Sequence, residues 1–151
     1  MSGVEQLVAC RIGTGEFALP IEAVREIIRD DGTVDLGCRS GALLGMVDLR
    51  GVAMPVFDLR LVLGVEPQVG DRAARRVVVT TGAGGRGVVG WLVDGVDEVL
   101  AVPAGAIERL DRAGDELVRS VARAGDGRLL PILDGDVLLA RVGAGGVAEV
   151  A

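Results

Sequence analysis

Short apolar runs, each broken by glycine, proline or an acidic pair, repeat along the chain. Leu7–Ile12 reads as a first strand with Val8, Cys10 and Ile12 on one face, turned by Gly13-Thr14-Gly15-Glu16 into Phe17–Leu19. Pro20 suits the first position of a helical turn, Ile21–Val24, and Arg25–Arg29 is β-branched again before the Asp30-Asp31-Gly32 turn. Thr33–Leu44 has little pattern and reads as a Gly-rich loop. Two further runs, Leu43–Leu49 and Val52–Phe57, flank Asp48-Leu49-Arg50-Gly51. Asp at the first position and Gly at the fourth predict a type I turn within a three-residue hairpin loop closed by a glycine bulge, with Arg50 at its tip. Pro55 has no N–H to give a ladder, so that second run is expected to be an edge strand or to bend there. Asp58 is placed to cap a short helix, Leu59–Leu63, which Gly64 closes.

The second half repeats the manner. Val65–Arg76 reads as a connection, Val77–Thr81 and Val88–Val93 as strands, and Val96–Leu100 as another strand ahead of Pro103-Ala104-Gly105. Arg109–Asp115 reads as a charged loop. Glu116–Ala124 fits a helical face or a strand, and the Gly125-Asp126-Gly127 turn before Leu129–Leu133 favours a hairpin. Asp134 is placed to cap a last helix, Gly135–Val142, ahead of a loose tail, Gly143–Ala151. The text Val24-Arg25-Glu26-Ile27-Ile28 returns as Val96-Asp97-Glu98-Val99-Leu100, 72 residues later, as a duplicated unit would.

Composition narrows the fold to mostly β. Aromatics are 2% of 151 residues, so Val, Leu, Ile and Ala must fill the core, and 24 glycines supply turns. The length suits one domain or two small subdomains around a common core. The net charge of −6 is dispersed and every basic residue is Arg, so no nucleic-acid backbone is an expected partner. No stretch is long and apolar enough to span a bilayer and the N-terminus lacks a signal-peptide pattern, so no membrane insertion and a cytoplasmic location are expected. Cys10 and Cys38 lack metal or redox spacing and read as two buried thiols.

Candidate chemistry is sparse. The chain has no His, Lys or Tyr, which removes the commonest general base, Schiff-base former and phenolic acid. No catalytic residue, metal ligand or cofactor is therefore expected. Gly82, Gly84 and Gly87 match the dinucleotide spacing G-x-G-x-x-G, but a strand follows where the phosphate cradle needs a helix, so the loop reads as a hairpin turn. Trp91 is either core or an interface anchor.

The stretch GMVDLRGVAMPVFDLR (Gly45–Arg60) resembles the signature of the CheW-like domains. IEAVREI (Ile21–Ile27), GWLVDGVDEVL (Gly90–Leu100) and the strand-Asp-helix ending Leu129–Leu139 are similar to three further family texts in the same order. The resemblance implies two intertwined five-stranded SH3-like β-barrels with short helical turns and a short C-terminal helix. The first would span mainly about residues 15–75 and the second mainly about 76–133. It implies a non-catalytic adaptor that joins the cytoplasmic tip of a methyl-accepting chemoreceptor to the regulatory domain of a CheA-type histidine kinase, at receptor arrays on the inner face of the membrane. The alternative is a ligand-binding or regulatory module detached from a sensory kinase. Carried onto this chain, the receptor or kinase side involves Val24, Glu26, Ile27, Gly45, Asp48, Leu49 and Arg50, with Gly51, Pro55 and Asp58 shaping the turn and its flank. Arg50 could equally pair with Asp48 or Asp58, and Val24 and Ile27 could equally be core. Asp48 departs from the family's usual Asn, and the segment Arg109–Glu116 is short for the family.

Overall fold

A computed structural model describes residues 3–66, 70, 72–110 and 117–143, with residues 36–40 described by backbone alone. The strands are β1 (Val4–Ile12), β2 (Gly15–Pro20), β3 (Val24–Arg29), β4 (Val34–Ser40), β5 (Leu43–Leu49) and β6 (Val52–Asp58), then helix α1 (Leu59–Leu63). There follow β7 (Arg76–Thr81), β8 (Val88–Val93), β9 (Gly95–Pro103), β10 (Ile107–Arg109), β11 (Val118–Arg123), β12 (Leu129–Leu133) and helix α2 (Gly135–Arg141). One sheet runs β10-β11-β12-β2-β1-β9 and the other β3-β7-β8-β6-β5-β4. Each has six strands, one more than the five expected.

The pairing crosses the division expected near residue 75. The β7–β8 hairpin lies between β3 and β6, and the β1–β2 hairpin lies between β9 and β12. Each hairpin joins its far sheet through one parallel edge, β8 on β6 and β2 on β12. One sheet is thus built from residues 24–93 and the other from 4–20 with 95–133.

The burial pattern explains why the strands read as runs rather than alternations. Val8, Cys10 and Ile12 of β1, Val78 of β7 and Val89, Trp91 and Val93 of β8 face a core shared by both sheets. Their neighbours face a second core private to each sheet: Leu7 with Ala18, Val102 and Leu130, or Val77, Val79 and Leu92 with Val47, Met54 and Val56. A strand packed on both faces has no position to give to polar residues. Trp91 is fully buried, its indole N–H donating to Thr80 Oγ1 at 2.9 Å and its ring 5.6 Å from that of Phe57, so it belongs to the core. Burial pushes the Cys10 thiol up to about 12, leaving it an inert packing group. The side chain of Cys38 lies outside the described residues.

Three local expectations need correction. Thr33–Leu44 is no loop: β4 pairs with β5 at Val34–Met46, Asp35–Gly45 and Ser40–Leu43, a ladder made by backbone groups that need no apolar pattern. The Gly45–Arg60 hairpin has a two-residue loop, since Leu49 pairs with Val52 and both Arg50 (φ 50°) and Gly51 (φ 88°) are left-handed. That is the type I′ turn, whose twist matches the strands it joins, where a type I turn would splay them. And β6 is an interior strand. Pro55 is tolerated because it stands opposite Met46 one residue before the parallel pairing with β8 begins at Val56, where no N–H is called for on that side.

Residues 82–87 form a tight hairpin connection, Gly82 N–H donating to Gly87 O, and β8 follows directly. Glu116–Ala124 contributes β11, as the hairpin reading required. Residues 111–115 of the expected charged loop, Glu116 of the segment after it, and 144–151 of the expected tail lie outside the described residues.

Candidate functional site

The hairpin tip presents the site. In β5, Asp48 Oδ1 accepts from the Gly51 N–H at 2.8 Å, an internal brace that holds the left-handed Arg50-Gly51 pair in place. Arg50 is the one non-glycine residue with positive φ among the described residues. Its guanidinium reaches neither Asp48 nor Asp58. It pairs with both carboxylate oxygens of Glu26 on β3, Nη1 to Oε1 at 3.2 Å and Nη2 to Oε2. Hydrogen bonding to Arg50 holds the Glu26 carboxyl below its ordinary value, and the same contact raises the guanidinium. Both ends meet solvent, the Arg50 side chain at 71% exposure.

Glu26 is aimed by an irregularity in its strand. The β3–β7 register shifts between Val24 and Glu26, and such bulges turn the side chains that follow. Beyond it Ile27 is 38% exposed, whereas Val24 packs partly against the shared core. Leu49 packs partly on the private core of its sheet and anchors the base of the turn.

Gly45 has a backbone role. A Cβ there would lie 2.1 Å from the Val34 carbonyl oxygen, so only glycine lets β4 approach β5. Beside it lies an open groove of about 340 Å³ lined by Val34, Met46, Val47, Asp48, Gly51 and Ala53. Ile27 on β3, Val34 on β4 and Val52 at the start of β6 are exposed apolar side chains of the same sheet.

Asp58 lies away from the tip and has a double structural duty. Its carboxylate caps α1 by accepting from the Arg60 N–H at 3.0 Å, and it takes both Nε and Nη2 of Arg60 at 2.9 Å. Arg60 Nη1 continues to Asp94 Oδ1 at 3.1 Å, and Asp94 Oδ2 accepts from the Gly13 N–H at 2.6 Å. All three charged side chains are about nine-tenths buried or more. This buried cluster links β6 and α1 of one sheet to the β1–β2 turn of the other. Sequence reading missed it, although Asp-Leu-Arg directly after a strand and Asp94 between two strands were its visible traces.

The CheW-like domain family matches residues 6–143. The chain belongs to the CheW-like domain family. A Rhizobium etli relative named "Probable chemotaxis protein CheW" is 34% identical over 139 residues, 90% of this chain and 88% of that protein. A Rhizobium meliloti relative named "Chemotaxis protein CheW" is 31% identical over 138 residues, 89% and 87% of the two chains. The crystal structure of the scaffolding protein TtCheW from Thermoanaerobacter tengcongensis matches with a TM-score of 0.80 at 21% identity, covering 91% of this CheW-like chain and 93% of that one. The arrangement described here, two interlocked sheets around a common core, is therefore that of the solved scaffold. No helix among the described residues is long and apolar enough to cross a membrane, and no group of three or more His, Cys, Asp or Glu there is arranged to hold a metal ion.

Proposed function

We propose that this chain is a non-catalytic coupling adaptor of a chemosensory system, joining the cytoplasmic tip of a chemoreceptor to the regulatory domain of a CheA-type histidine kinase. The observation that carries the reading is the Glu26–Arg50 pair: two residues far apart in sequence, both drawn from the family-like texts, meet at an exposed, braced hairpin tip. Such a tip suits protein recognition. An exposed planar guanidinium already oriented by one carboxylate can turn to a partner's carboxylate or backbone carbonyl at little ordering cost. Relatives named for chemotaxis and a solved scaffold of the same fold support the adaptor role, as does a chain without His, Lys or Tyr.

The test is direct mixing. Size-exclusion chromatography of this chain with the cognate kinase regulatory domain, and separately with a receptor-tip fragment, should show co-elution that Arg50→Ala weakens for at least one partner. Separate elution of both partners at tens of micromolar removes the proposal.

A further inference from the structure

The two halves of the chain have one plan. Matching β1–β6 and α1 with β7–β12 and α2 converts the strand order of one sheet into that of the other. The sequence follows: Val24–Ile28 precedes Val96–Leu100 by 72 residues, and Pro55-x-x-Asp58 precedes Pro131-x-x-Asp134 by 76. Both aspartates cap the helix that follows, Asp58 through the Arg60 N–H and Asp134 through those of Asp136 and Val137.

Under this match Glu26 falls on Glu98 and the β5–β6 tip falls on the β11–β12 tip, Gly51 on Gly127, with Arg50 just before the matching glycine and Arg128 just after it. Each arginine binds its matching glutamate, Arg128 Nη2 meeting Glu98 Oε2 at 3.1 Å. The surroundings differ. Among the described residues Arg50 has Glu26 alone as a carboxylate partner, and its side chain is 71% exposed. Arg128 is held by three carboxylates, with Nη1 on Glu16 Oε1 at 2.6 Å and Nε on Asp126 Oδ2 at 2.7 Å besides Glu98, and its side chain is 38% exposed. Those acids come from β2, β9 and the β11–β12 turn.

We infer that Arg128 is the internal counterpart of Arg50, committed to structure: a staple that holds end strand β9 in place and keeps its free edge from pairing with another chain. The strand needs one. It spans nine residues, has β1 as its one ladder partner among the described residues, and exposes Val99 at its centre. A long end strand with apolar side chains is a template for edge-to-edge association unless charge and anchoring guard it. Asp97, tied to Arg11 at 2.9 Å, and Glu98, tied to Arg128, place that guard in mid-strand. Networked pairs with several partners act where isolated surface pairs contribute little.

Hydrogen exchange and sedimentation of the full-length chain test this. In Arg128→Ala, amides of Glu98–Ala101 should exchange roughly five- to thirtyfold faster, while those of Val89 and Trp91 in interior β8 stay unchanged. The variant should also self-associate with rising concentration. Arg128→Lys, a point charge that cannot span three carboxylates, should fall between the two and serves as the test if Arg128→Ala does not fold. Arg50→Ala should change neither readout. Unchanged β9 exchange, equal acceleration across both sheets, or the same response from Arg50→Ala overturns the staple; a variant that remains monomeric at every concentration overturns the edge-guarding role.

Discussion

Replacing Arg60 with Met keeps most of the side chain's bulk and removes its charge. The guanidinium holds Asp58 through two hydrogen bonds and Asp94 through one, with all three side chains withdrawn from water. Without it two carboxylates remain buried side by side. Asp58 keeps the Arg60 backbone N–H and Asp94 keeps that of Gly13, which offset part of the loss. Removing one member of a buried ion pair costs about 3–5 kcal/mol. Against a usual domain stability of about 5–15 kcal/mol this is a large share. At about 2–4 °C per kcal/mol for a chain of this size, the melting temperature should fall by roughly 6–20 °C. Trp91, the single Trp, is buried in the shared core and reports urea unfolding by fluorescence. Adding Asp94→Asn to Arg60→Met should recover part of the loss by removing one stranded charge, since residues in one network are coupled. A loss below about 1 kcal/mol, or no recovery in the double variant, would refute the view that this cluster clamps the sheets together.

Arg50→Gly should separate function from stability: relieving a left-handed non-glycine residue should raise stability by up to about 1 kcal/mol in urea titration while partner binding falls. Gly45→Ala drives a Cβ into the Val34 carbonyl, so a stability loss of about 1–3 kcal/mol with loosened β4 amides is expected by circular dichroism and exchange. The Glu26 carboxyl titrates below its ordinary value in the folded chain, so its pairing with Arg50 is complete above the unfolded-chain value and is lost as pH falls through the lowered one. An NMR titration of the Glu26 side chain should show the depression, and Arg50→Ala should abolish it.

What the sequence made legible was local. Asp58 and Asp134 announced two helix starts because an N-cap depends on its own next three residues. The apolar runs announced strands buried on both faces. The turn type was misjudged because Asp48-Leu49-Arg50-Gly51 satisfies type I chemistry, whereas the observed choice follows from the twist of β5 and β6, a property of the pair. β4 was missed since its ladder rests on backbone pairing with β5 rather than on side-chain pattern. The partner of Arg50 lies 24 residues back on another strand, and Arg128 gathers acids up to 112 residues away; distances of that kind are set by topology alone. The family-like texts nevertheless named both Glu26 and Arg50, so the composition of the tip was readable even where its geometry was not.

The exchange of hairpins between the halves has a bearing on biosynthesis. As the polypeptide leaves the ribosome, β3 and β6 lack the two strands that lie between them until Val93 has emerged, and β2 waits for its parallel neighbour until Leu133. Neither sheet can be completed from one half, so a nascent fragment ending near residue 75 displays valine-rich surfaces with nothing to cover them. Completion of both sheets is thereby deferred until Leu133 has emerged, and it rests on long-range pairing, which is slow and leaves apolar surface exposed meanwhile.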